Sequence, residues 1–177
     1  KGRRWNKMVN AGGQEGVKAA GEIIGDFAQG KFPNDLKSLP GSNIYRSTWD
    51  DIINAAEAAN DPGNFTAFIG YEWQSLVTGN NLHRVVMYRD GADRASLLEP
   101  YTAEPPGSTN PVDLWKWMDQ YEEKTAGQVL AIAHNGNLSN GIMFPEKKAF
   151  GKKIDKEYVK TRARREPLYE VTQIKGD

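Results

Sequence analysis

The chain has 177 residues, 26% of them charged and 38% hydrophobic, with Lys+Arg and Asp+Glu equal at 23 each and no cysteine. That length suffices for one domain with a real core, and the balanced charge creates no overall field directing it to nucleic acid or an anionic membrane. The absence of cysteine excludes disulfides, thiolate metal sites and Cys nucleophiles, and no apolar run approaches the roughly 18 residues of a membrane span.

The chain opens in a charged segment, KGRRWNK, without an initiating Met. Gly16–Gln29 places Val17, Ala20, Ile23, Ile24 and Phe27 at helical spacing, with Gly30 as a stop. Gly21 and Gly25 interrupt that helix, and close packing is the expected reason for them. Phe32–Ser47 reads mostly as loop. Ser47 or Thr48 then caps a helix over Trp49–Asn60, with Asp50 and Asp51 in its first turn. Asp61-Pro62-Gly63 is a turn. It leads into two runs of β-branched and aromatic residues, Phe65–Tyr71 and Leu82–Tyr88, separated by the polar segment Gln74–Asn81, which read as a pair of strands. A long irregular connection over Gly91–Thr109 follows.

Asn110 and Pro111 open the next helix as N-cap and first residue. Leu114, Trp115, Met118 and Tyr121 form its apolar face and Gly127 ends it. The five tryptophans are expected in the core. Gln128–Ala133 is a third strand, Asn135–Phe144 is too rich in Gly and Asn to be regular, and Gly151–Arg165 is a basic, helical segment expected to be mainly a solvated face. A final strand is expected over Leu168–Ile174. This alternation favours an α/β architecture with sites at the carboxyl ends of strands. A domain seldom stops on a strand, so 1–177 is expected to be a single domain, a central fragment of a larger protein.

Both histidines lie at strand ends. His83 begins the second strand and His134 closes the third. A carboxylate, Glu72, sits just past the first strand, and a hairpin brings Glu72 and His83 to the same end of the sheet. Neutral imidazole nitrogen with carboxylate oxygen suits Zn, Mn or Fe, and such an ion enables hydrolysis at neutral pH. The spacings of 11 and 51 residues match no compact metal motif, so from the residues alone ligands and ordinary structural residues both remain open. Asn80, Asn81, Asn135, Asn137 and Asn140 crowd the same loops, either orienting ligands and substrate or serving turn chemistry. Arg84 is expected on the opposite face of its strand. No GxSxG elbow, P-loop or GxGxxG is present.

At FTAFIGYEW, NNLHRVVMYRDGA, VLAIAHNGNLSNGIMF and REPLYEVTQIKGD the chain closely resembles a bacterial domain-of-unknown-function family, family 3604, which is similar to the PHP (polymerase and histidinol phosphatase) superfamily. The resemblance covers essentially all 177 residues. It implies part of a distorted (βα)7 barrel, an incomplete TIM-like barrel, with a metal cluster at the carboxyl ends of its strands and phosphoester hydrolysis as its activity. GYEW places Glu72 at a metal-bridging carboxylate, His83 at the next strand's ligand, and AHNGN places His134 at an SHPGN-type ligand, with Asn135 and Asn137 against the substrate. The superfamily's HxH and DxH motifs are absent from the chain. Divalent metal is therefore expected in the full-length parent and weak or missing here. A small phosphoester is the expected substrate, with amide or ester hydrolysis and a non-catalytic carbohydrate-binding module as the alternatives. Exposed strand edges suggest a homodimer. A soluble bacterial protein, cytoplasmic or periplasmic, is expected.

Overall fold

The structure, a computed structural model, describes residues 1–174. The chain divides into two compact units, Lys1–Leu39 and the part from Pro40 onward.

The first unit is a helical hairpin of α1 (Gly2–Ala11) and α2 (Gly13–Ala28). The charged opening segment is helical because Trp5 and Met8, three residues apart, form an apolar stripe along it. Trp5 stacks on Phe32 with ring centroids 5.8 Å apart, and Ala19 of α2 is buried beside them. Gly12 joins the helices at φ 68°, a left-handed backbone that glycine adopts without strain. Gly21 and Gly25 do not mark close packing, since a Cβ at either would meet nothing within 4 Å. Each is a bare helix-propensity cost. Gly21→Ala and Gly25→Ala are expected to stabilise this unit by about 0.5–1 kcal/mol each in urea denaturation.

The second unit begins with α3 (Asn43–Ala59), which starts earlier than expected. Its cap is Ser42, whose hydroxyl accepts from the Tyr45 N–H at 3.2 Å. Ser47 and Thr48, the expected caps, lie inside the helix, and their hydroxyls donate back to the Ile44 carbonyl. Strand β1 is Gly70–Trp73, so Phe65–Ile69 is not strand; Phe65 makes one isolated bridge, to Asp61. The polar connection folds into a small hairpin of β2 (Leu76–Val77) and β3 (Asn80–Asn81). Thr78 and Gly79 both take positive φ at its tip, as a primed two-residue turn requires. Strand β4 (Arg84–Tyr88) and the short helix α4 (Ala92–Ala95) follow. Helix α5 (Pro111–Thr125) is capped by Asn110, whose side-chain oxygen accepts from the Val112 N–H at 3.0 Å. Then come β5 (Val129–Ala133), a second small hairpin of β6 (Lys148–Ala149) and β7 (Lys152–Lys153), helix α6 (Lys156–Arg165) and β8 (Leu168–Tyr169). The expected last strand thus keeps only two of its residues.

The main sheet has the order β1-β4-β5-β8. β4 is antiparallel to both neighbours and β8 is parallel to β5, so β1, β5 and β8 run the same way. The architecture is mixed α/β, and among the described residues no closed barrel forms. One face of the sheet is covered by α3 and α5, with Trp49, Ile53, Trp73, Val86, Tyr88, Trp115, Met118 and Tyr121 in the core. All five tryptophans are buried, as expected.

The register places Glu72, Val85, Ile132 and Leu168 in one row and Gly70, Met87 and Leu130 in the next, both on the face opposite the helices. This second face is only partly covered. Phe68, Met87, Leu130, Ile132 and Leu168 line an apolar depression of about 580 Å³ on it.

The basic segment is more than a solvated face. Arg165 is buried and pairs with Asp119 and Glu122 of α5, and Arg164 also pairs with Asp119, so arginines of α6 tie it to α5.

Candidate metal centre

Alternation along the strands decides where the candidate ligands point. Glu72 lies in β1, one residue short of its end rather than past it. His83 immediately precedes β4, in phase with Val85 and Met87, and His134 immediately follows β5, in phase with Leu130 and Ile132. All three therefore belong to the partly open face, at one edge of the sheet. There the ladder continues through the His134 N–H, which donates to the His83 carbonyl at 3.3 Å.

The side chains converge on a single oxygen. His83 Nδ1 is 2.9 Å and His134 Nε2 is 3.0 Å from Glu72 Oε1, and the two rings stand at 75° with centroids 5.8 Å apart. A carboxylate oxygen only accepts, so the facing nitrogen of each ring carries the hydrogen. Burial raises the Glu72 carboxyl, but hydrogen bonding and charge from His134, and then from His83, outweigh it and hold the group below the usual carboxylate range. The side chains of His83 and His134 are 17% and 9% exposed and that of Glu72 is 40% exposed, so the cluster is reachable through the carboxylate.

Local structure fixes the backbone on each side. Asn81 Oδ1 accepts the His83 N–H at 2.9 Å, which makes Asn81 an orienting residue for that histidine's backbone. Leu82, Ala133 and Met143 pack into a small separate core directly beside the two histidines. Asn135 takes the left-handed conformation, at φ 51° and ψ 41°, and its buried side chain donates to Gln173. Asn137 lies exposed in the 3₁₀ turn Gly136–Leu138 that follows. Asn140 is also left-handed, which is the turn chemistry its residue type allows. Arg84 points to the helix-covered face, as expected, where it pairs with Glu166. Glu170, which no local motif singles out, lies one residue past β8 and in phase with Leu168. The alternation of REPLYEV contained that placement, but only once β8 is set beside β5.

Glu72, His83 and His134 each offer one ligand atom, and these three atoms all lie within 4.8 Å of one another. Donors bound tetrahedrally at about 2.0–2.1 Å from a common ion sit roughly 3.3 Å apart. The present 2.9 and 3.0 Å contacts need open by only a few tenths of an ångström to admit one. Donor types and spacing therefore fit Zn, Mn or Fe. The ring support differs from that of most metal-binding histidines, because His134 Nδ1 is buried with no hydrogen-bond partner among the described residues.

A family model described as "Protein of unknown function (DUF3604)" matches residues 1–177. No curated protein and no solved structure matches the chain. Among the described residues no helix is long and apolar enough to cross a membrane.

Proposed function

We propose that this chain, which belongs to the DUF3604 family, carries part of the metal centre of a hydrolase that cleaves phosphoesters. The observation that carries this reading is the convergence of Glu72, His83 and His134 at one edge of the open sheet face. A divalent ion bound there supplies Lewis-acid polarisation of a phosphoryl oxygen and lowers the pKa of water. The chain's own residues hold that charge in place. Glu72 presents an anionic oxygen between two imidazoles, Asn81 fixes the backbone of His83, and Asn135 and Asn137 shape the rim of the substrate pocket.

A PHP-like distorted (βα)7 barrel is our proposed architecture for the full-length protein. Glu72 and His134 at the carboxyl ends of the parallel strands β1 and β5, with His83 at the start of the antiparallel β4 between them, support it, as does an apolar face that a completed barrel would cover. On this reading further ligands come from sequence outside these residues, and the isolated chain binds metal weakly. A homodimer formed through the same apolar face is the competing way to cover it, and a monomeric mass for the full-length protein decides against that. The burial of all five tryptophans leaves no tryptophan platform for a carbohydrate-binding module.

The test is turnover by full-length protein reconstituted with Zn²⁺, Mn²⁺ or Fe²⁺. Bis-p-nitrophenyl phosphate and p-nitrophenyl phosphate are set against p-nitrophenyl acetate, lactones and amides. Metal-dependent phosphoester hydrolysis is expected, with Glu72→Gln, His83→Ala and His134→Ala each reducing it by more than about 100-fold. Turnover confined to esters, lactones or amides moves the reaction to a carbonyl centre. Undiminished phosphoester turnover in all three variants contradicts the assignment.

A further inference from the structure

His134 is the most enclosed member of the cluster, and its ring is held on one side only. Nε2 meets Glu72 Oε1 at 3.0 Å, while the buried Nδ1 has no hydrogen-bond partner among the described residues. The aim of this ring must therefore come mainly from its backbone. That backbone turns sharply, because Asn135 directly after it is left-handed. A non-glycine residue stays in that region only when its surroundings hold it there.

The holding group is Glu170. Its N–H extends the β5–β8 pairing by donating to the Ala133 carbonyl at 3.3 Å, and its Oε2 accepts the Asn135 N–H at 2.9 Å. One residue thus grips the chain on both sides of His134, once through backbone and once through a charge-assisted bond to carboxylate. The next turn is pinned as well. A Cβ on Gly136 would collide with the Tyr169 hydroxyl, and the Ser139 hydroxyl donates to the Gly136 carbonyl at 2.6 Å. Tyr169 is in turn seated edge-on against Phe144, with centroids 4.8 Å apart.

We propose that Glu170 is the positioning residue that aims His134 at the metal, by clamping the left-handed turn at Asn135. This rests on the metal reading above, and the two are separable by experiment. The chain has two histidines, so ¹⁵N-labelled histidine gives one ring signal set for each, and His134→Ala assigns them. In metal-free wild type His134 is expected as the Nε2–H tautomer and His83 as the Nδ1–H tautomer.

In Glu170→Ala the His134 ring shifts move toward tautomer averaging while those of His83 stay in place. In the full-length protein Co²⁺ affinity, followed by the d–d absorption of the bound ion, falls by about 10–100-fold. Glu170→Gln keeps an oxygen that accepts the Asn135 N–H and recovers most of both. Glu170→Met replaces the alanine variant if that one loses its circular dichroism. A merely structural role would disturb both histidines together and lower the melting temperature without selecting His134. Wild-type His134 shifts and Co²⁺ affinity in Glu170→Ala overturn the proposal and leave the metal reading standing. Full-length wild-type protein that takes up no Co²⁺ overturns the metal reading, and the ring signals of the 177-residue chain still decide whether Glu170 aims His134.

Discussion

His134→Ala should lower the Zn²⁺ or Mn²⁺ affinity of the protein by more than about 100-fold, since losing a hydrogen-bond partner outside the ligand set alone costs about 10–100-fold. The expectation follows from how few donors share the work. Among the described residues one cluster offers three donor atoms, and His134 is its most buried member. Removing the imidazole leaves the described residues with Glu72 and His83 alone, two donors from one hairpin that cannot by themselves enclose an ion. The fold should survive the change, because His134 Nδ1 contributes no hydrogen bond and the β4–β5 ladder is made by the backbone. Isothermal titration with each metal, beside the far-UV spectrum of the variant, checks both halves. Wild-type affinity in His134→Ala would remove the residue from the centre.

Glu166→Ala should destabilise the second unit by about 3–5 kcal/mol, the cost of leaving a buried charge without its partner. The Arg84 and Glu166 side chains are 1% and 2% exposed, with Arg84 Nε 2.9 Å from Glu166 Oε1. The same oxygen accepts the Trp115 indole N–H at 2.8 Å, and Arg162 makes an ion-pair contact with Oε2 at 3.2 Å. Arg84 also donates to the Leu82 carbonyl and lies over the Trp73 ring. Burial pulls the Arg84 guanidinium down and Glu166 opposes that shift, so removing Glu166 exposes the whole desolvation cost. Glu166→Gln should fall between, since its carboxamide still accepts from Trp115. The double variant Arg84→Met/Glu166→Leu should recover most of the loss by replacing both charges with apolar groups of similar size. Urea denaturation of the four proteins measures this. A loss below about 1 kcal/mol in Glu166→Ala would contradict it. The pair adjoins the site, since Arg84 follows His83 and Glu166 closes α6 just before β8.

The parts of this arrangement legible in the sequence are those that local pattern controls. The runs Leu82–Tyr88 and Gln128–Ala133 contain the whole of β4 and β5, because β-branched and aromatic residues fill them and turn formers bound them. Two-residue alternation, with the hairpin, was enough to bring Glu72 and His83 together and to set Arg84 on the other face. Where local cues compete, residue type alone misleads. Ser47 and Thr48 have the side chains of caps but bond backward within α3, while Ser42 does the capping. Phe65 and Phe68 carry strand residue types yet stay outside β1, and both are exposed. Helix α1 is hidden by Arg3, Arg4 and Lys7, since only Trp5 and Met8 mark its buried stripe. Glu166 and Glu170 were out of reach for a different reason. Their partners lie 82 and 35 positions away, and only the pairing of β8 with β5 brings them near.

The most direct test of the centre is elemental analysis of the full-length protein, purified without chelator, beside its His134→Ala variant and this 177-residue chain. Near-stoichiometric Zn, Mn or Fe in the full-length protein, with little in the variant and less in the chain alone, is the predicted result. A full-length protein that holds no metal, even after reconstitution, would contradict it and leave Glu72, His83 and His134 as a hydrogen-bonded cluster that closes the edge of the sheet.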